Sequence, residues 1–264
     1  MSTTPMKALS SSRPLRQRAR GLVLPLLLLA AWQLAAQRDA AHQYAFVPLQ
    51  QVGSATLELI RNGDLVIDLG ASLRRTTIGL ALGSLCGVVL GTLMALSRTA
   101  EKLVNPLFQA LRHVPLLGLI PLLSLWIGTD DFAKIFVVFL AALYPMVTSS
   151  FDGVRRIDRR YFELARSYQL TRAGWLGDIL IPAVLPDLFN GVLQAVPIAW
   201  ITATSSELLF NAGPGVGDLM QTAQAGSRVD VLLVCVLGVT VLAVGMGALC
   251  ERIARHALRW RDQA

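Results

Sequence analysis

The sequence predicts an all-α integral membrane protein with six transmembrane helices. Three observations carry that expectation. Hydrophobic residues make up 54% of the chain, charged residues only 16%, and mean hydropathy is +0.55, a balance soluble domains rarely show. The apolar residues gather into six runs, each near the roughly 20 residues that cross a hydrocarbon core. The basic residues cluster beside those runs on one side. The net charge of +7 then reflects orientation in a lipid bilayer, and no nucleic-acid partner is expected.

A basic tail, residues 1–20, precedes the first span at about Gly21–Ala36. A basic start, a short apolar run and Leu34-Ala35-Ala36 also fit a cleaved signal peptide. Trp32 and Gln33 suit an interfacial anchor, so residues 1–36 read as tail and retained span. Residues 37–70 form the longest outer connection and complete a 21–70 segment. There Leu57, Ile60, Leu65 and Ile67 alternate with Glu58, Arg61, Asp64 and Asp68, the pattern of an amphipathic interfacial helix. Residues 71–255 hold the helical core, and 256–264 form a second basic tail.

The second span runs about Leu73–Leu96. Gly79, Gly83, Gly87 and Gly91 recur every four positions, a stripe that permits close helix packing. The third span, about Leu103–Ile127, is interrupted by Pro106, Pro115 and Pro121. Proline removes a helix hydrogen bond, and lipid tolerates such breaks where a helix lines a cavity or packs in protein. Arg112 lies beside the Pro115 break. An ionisable group inside a span marks a solute path, and an arginine there suits an anion; a snorkelling arginine is the alternative.

The fourth span runs about Ala133–Phe151 and the fifth about Leu188–Phe210. On the fifth, Thr204, Ser205 and Glu207 belong to a polar face turned toward other helices or a pore, and they join Arg112 and Pro115 as candidate path residues. The string Asn211-Ala-Gly-Pro-Gly-Val-Gly-Asp218 reads as a turn before a short helix, Leu219–Ala225. The sixth span runs about Val231–Cys250. Six crossings put most of the 24 basic residues on one side, so both termini and the loop between spans four and five are expected in the cytoplasm.

That loop, residues 155–186, is the one long charged internal segment. Arg155, Arg156, Arg159, Arg160, Arg166 and Arg172 lie in it. Asp158 can cap a helix on which Tyr161, Leu164, Ala165 and Tyr168 share an apolar face. Thr171 can cap a second helix, which Pro182 and Pro186 are expected to stop. A helix pair at the membrane surface is a docking site for a soluble partner.

Glu163-Leu-Ala-Arg-Ser-Tyr-Gln-Leu, followed by Ile179-Leu-Ile-Pro182, resembles the "EAA" loop of ABC-importer permeases. Glu163 stands at the acidic position, Ala165 at the small one, and Ile179, Ile181 and Pro182 at the close. Gln169 departs from the pattern, which has glycine there. Asp68-Leu-Gly-Ala-Ser-Leu-Arg-Arg, Leu111-Arg-His-Val-Pro and Ala199-Trp-Ile resemble the branch that imports sulfonates, taurine, nitrate or bicarbonate. The resemblance implies a type I importer permease that moves a small anion by alternating access, in the inner membrane. It implies a homodimer of two copies, two ABC ATPase subunits and a periplasmic solute-binding protein. The ATPase-coupling residues would be Tyr161, Glu163, Leu164, Ala165, Arg166, Tyr168, Gln169, Ile179 and Pro182.

The chain has no G-x-x-x-x-G-K-[ST] loop, so ATP and Mg are expected on the partner ATPase and no cofactor on this chain. Cys86, Cys235 and Cys250 form no close pair, and His42, His113 and His256 have no metal-ligand spacing. No catalytic arrangement is visible, and the chain is not expected to be an enzyme. A secondary transporter or channel without an ATPase is the alternative. Buried mid-span acids or histidines would favour it, and few are visible.

Overall fold

The computed structural model describes residues 15–37, 47–210 and 213–259. The remaining parts of both basic tails lie outside the described residues. The described residues are almost entirely helical, and the chain divides into two compact units, Met1–Ala55 and Thr56–Ala264.

In the first unit, α1 (Leu15–Ala36) has its last turn tied to the chain beyond it. Trp32 Nε1 donates to the Val47 carbonyl at 3.0 Å, and Leu49 N donates to Gln33 Oε1 at 3.0 Å. The two residues expected to anchor α1 at an interface therefore also fix the start of α2 (Leu49–Asn62).

The second unit is built on four long helices. Gly63, at φ 85°, turns the chain out of α2 into α3 (Asp64–Leu96). α4 (Arg98–Arg112) and α5 (Leu116–Ile127) come next, then α6 (Asp131–Arg155). The loop helix α7 (Arg159–Ser167) leads through a single turn, Arg172–Gly174, and a π-helical turn, Trp175–Leu180, into α8 (Ile181–Phe210). α9 (Val216–Ala225) and α10 (Val229–Ala257) complete the unit.

α6 is the central helix, packed along both α3 and α8. The core on one side is Leu80, Val138, Ala142, Ala195, Val196, Ala199, Trp200 and Ala203. Alanines predominate because the backbones approach closely. The glycine stripe of α3 explains how. A Cβ on Gly79, Gly83, Gly87 or Gly91 would fall 2.4 to 2.7 Å from Val138, the Phe139 carbonyl, Met146 or the Val147 carbonyl, nearer than real contacts allow. The same seam brings Gly79, Gly83, Gly87 and Gly91 against the side chains of Val138, Ala142, Met146 and Ser150 in turn. Four residues per rung on both rails is the signature of two parallel helices in fixed register.

Four described helices are long and apolar enough to cross a membrane: Asp64–Leu96, Asp131–Arg155, Trp175–Phe210 and Val229–Ala257. The expected third span is not one rod. α4 and α5 bend by 101° at residues 113–115, where Pro115 withholds its N–H and holds an extended backbone. Counting that pair as one crossing gives up to five. The expected six are not reproduced in full, because the described apolar part of α1, Val23–Ala36, is shorter than a crossing.

One further expectation is corrected. Pro182 and Pro186 do not stop the second loop helix; it runs on into α8. The π turn just before Pro182 widens the ring, so the missing N–H and the pyrrolidine ring are accommodated without a break. Arg74 and Arg75 lie within α3, and Lys134 within α6. α3 begins nine residues before the apolar run does, and Arg75 and Lys134 are buried within the bundle at 2% and 1% exposure.

Candidate functional site

The loop between α6 and α8 has the local structure its residues call for. Asp158 Oδ1 accepts from Arg160 N at 3.0 Å, capping α7. Thr171 Oγ1 accepts from Gly174 N at 3.2 Å and caps the next turn. α7 ends in a Schellman arrangement, with Leu170 N donating to the Ala165 carbonyl at 3.0 Å. That motif places its next-to-last residue in the left-handed region, and Gln169 sits there at φ 50°. The turn is therefore kept despite the missing glycine. Tyr161 and Tyr168 stand out from α7 at 51% and 77% exposure, whereas Ala165 between them is only 8% exposed. Glu163 and Gln169 are exposed and Ile179 is half-buried; the side chains of Leu164 and Arg166 lie outside the described residues.

The base of the loop is tied down. Arg156 Nη1 donates to Asp187 Oδ1 at 3.1 Å, and the Arg155 guanidinium lies 4.5 Å over the Phe151 ring while pairing with Glu101. A hollow of about 590 Å³ opens beside α7, lined by Arg156, Asp158, Tyr161, Pro182, Asp187 and Asn190. Two predicted coupling residues, Tyr161 and Pro182, thus share one surface.

A second hollow lies at mid-length of the bundle. It measures about 410 Å³ and is lined by Arg112, Tyr144, Thr148, Gln194, Ile198 and Thr202, among others. The α4–α5 bend supplies Arg112, and the middles of α6 and α8 supply the walls. Arg112 has no acidic partner among the described residues. Pro115 caps α5 beside it. A helix broken within the bundle next to an arginine without an acidic partner has the charge to meet an anion.

Thr204, Ser205 and Glu207 do not line this groove. Thr204 Oγ1 donates to the Trp200 carbonyl at 3.0 Å within its own helix. Glu207 is turned into a buried junction of α3, α8 and α9. Its carboxylate accepts from Ser72 Oγ at 2.7 Å, Arg75 Nη1 at 3.0 Å and Gly217 N at 3.1 Å. Arg75 also donates through Nε to Asp131 Oδ1 at 2.8 Å and through Nη1 to the Pro214 carbonyl at 2.7 Å. Gly215 N donates to Asp68 Oδ1 at 2.8 Å, and Val216 N to Ser72 Oγ at 3.0 Å. The Pro214 carbonyl and the N–H groups of Gly215, Val216 and Gly217 therefore each meet a side chain of α3 or α8. The glycines are required by that approach: a Cβ on Gly217 would lie 2.4 Å from Glu207 Cβ, and one on Gly215 would lie 2.8 Å from its Cδ. Sequence reasoning missed Asp68, Ser72 and Arg75. Their spacing of four and three residues, one face of a helix leading into an apolar run, was the available signal. Nearby, Arg228 bonds Asp230 and Glu58, and these bonds raise its already high pKa.

Residues 83–260 match the family described as binding-protein-dependent transport system inner membrane component. The chain belongs to this family. Among these inner membrane components it is 34% identical to a putative aliphatic sulfonates transport permease protein of Escherichia coli (strain K12), over 90% of each chain. It is 27% identical to a bicarbonate transport system permease protein of Synechococcus elongatus, over 93% of this chain and 91% of that one. Its fold is similar to a chain of the inward-facing MetNI methionine ABC transporter, with TM-score 0.55 and 20% identity over 74% of this chain and 97% of that one. The family is one of transport permeases, and the expected fold class stands: an all-helical membrane importer subunit.

Proposed function

We propose that this inner membrane component is the permease subunit of an ATP-driven importer for a small anionic solute, with an aliphatic sulfonate or taurine first and nitrate or bicarbonate next. The observation that carries the reading is Arg112, an arginine without an acidic partner on the 101° helix bend at the mid-length groove. An anion entering the groove meets an exposed guanidinium that no carboxylate among the described residues neutralises. The relatives named for sulfonates and bicarbonate support an anion.

Two copies would line one path and alternate its access. α7 would sit in the cytoplasm, as would both termini, and two ATPase subunits would dock on it. Those subunits would hold ATP and Mg. A periplasmic binding protein would deliver the solute to the opposite end, where α9 and the Glu207 junction lie. The hollow beside α7 and the outward Tyr161 and Tyr168 support the docking.

The test is Arg112→Ala in cells carrying the complete importer. Uptake of ethanesulfonate should fall at least tenfold while the ATPase still co-purifies with the permease. Undiminished uptake would remove Arg112 from the path.

A further inference from the structure

The groove is shaped for more than a charge. On α8, Gln194, Ile198 and Thr202 stand at four-residue spacing, so they form one stripe along the groove. On α6 the same groove is lined by Ala141, Pro145 and Thr148. Both walls change character along their length. Gln194 and Thr148 offer polar groups toward one end and Thr202 toward the other, and Ile198, Ala141 and Pro145 offer an apolar belt between them, beside the Tyr144 ring. At about 410 Å³ the space far exceeds what a bare nitrate or bicarbonate fills. A small inorganic ion would leave the belt facing water and would gain nothing from it.

We propose that Ile198, with Ala141 and Pro145, determines specificity by measuring the cargo's aliphatic tail, while Gln194 beside Arg112 positions its charged end. This rests on the groove being the anion path. The chemistry is direct. The Gln194 amide N–H donates to an anionic oxygen that Arg112 leaves exposed. Each methylene that reaches the belt leaves water, which is worth roughly fourfold in affinity. Ile198 is 43% exposed in the groove, so a polar side chain there can be borne without disturbing the core.

The test uses the permease–ATPase complex in nanodiscs without the binding protein, so that the groove alone selects. Calorimetry measures the binding of methane-, ethane-, propane- and butanesulfonate. Affinity should rise several-fold per added methylene in the unaltered complex. Ile198→Asn should flatten that rise and leave methanesulfonate within about twofold. Gln194→Ala should weaken all four alike. A rise of unchanged steepness in Ile198→Asn, or no rise in the unaltered complex, would overturn the inference. Those outcomes leave the anion path standing. Equal binding of all four by Arg112→Ala and by the unaltered complex would instead sink the path reading, and the inference with it.

Discussion

Arg75 and Glu207 meet at 3.0 Å, 132 residues apart in sequence, in a place that solvent scarcely reaches. Neither charge could stay there alone. The Arg75 guanidinium is shared among Glu207, Asp131 and the Pro214 carbonyl, so α3, α6, α8 and the turn before α9 converge on one side chain. Removing one member of a buried ion pair costs about 3–5 kcal/mol, because the other is left uncompensated.

Glu207→Ala should therefore lower permease stability by about that amount, seen as a large fall in Tm in detergent. The double variant Arg75→Met/Glu207→Met removes both charges and should recover part of the loss. Equal Tm for Glu207→Ala and the unaltered chain would show the pair to be dispensable.

The glycines before α9 should differ in tolerance. Gly217→Ala forces a Cβ to within 2.4 Å of Glu207 Cβ and should cost about 1–3 kcal/mol by overpacking. Gly213 sits at φ 74° with open space around it, so Gly213→Ala carries only backbone strain, about 1 kcal/mol. Thermal unfolding of the two variants checks the order.

Gln169→Gly should raise stability, not lower it. The left-handed residue at φ 50° carries a strain of about 1 kcal/mol that glycine would not. A small rise in Tm with uptake retained is expected. A complete loss of transport would mean that the glutamine side chain has a task of its own.

Ala165→Trp and Glu163→Lys test α7 as the docking element. A bulky ring at the 8% exposed Ala165 position must displace α7, and lysine reverses a charge on its exposed face. Both variants should insert in the membrane and lose at least tenfold in uptake with reduced ATPase co-purification. Normal values in both would leave α7 without a coupling role.

Local features were legible in the sequence. Asp158 and Thr171 each cap the helical turn they precede, and the four-residue glycine repeat packs as its spacing requires. Pro115 announced a break, but its 101° angle depends on how α5 packs through Ile120 and Leu123 against α6. Arg75 was hidden because its partners Asp131, Glu207 and the Pro214 carbonyl lie 56, 132 and 139 residues away in sequence. Glu207 was visible as an intramembrane acid, yet its partners come from α3 and from backbone N–H groups that carry no mark in a sequence. The Gly-rich string showed a turn; the reason for two of its glycines is a carboxylate above them.

The glycine seam of α3 and α6 carries an evolutionary consequence. Its rungs count residues within each rail and are indifferent to how many lie between the rails. An insertion between Ser97 and Asp130 leaves every rung in place. A one-residue deletion between Gly83 and Gly87 rotates the rest of the helix by about 100° and swings the lower glycines out of the seam. The stretch that carries the bend is thus the part whose length can change without disturbing the seam, while the two rails are held to their residue count.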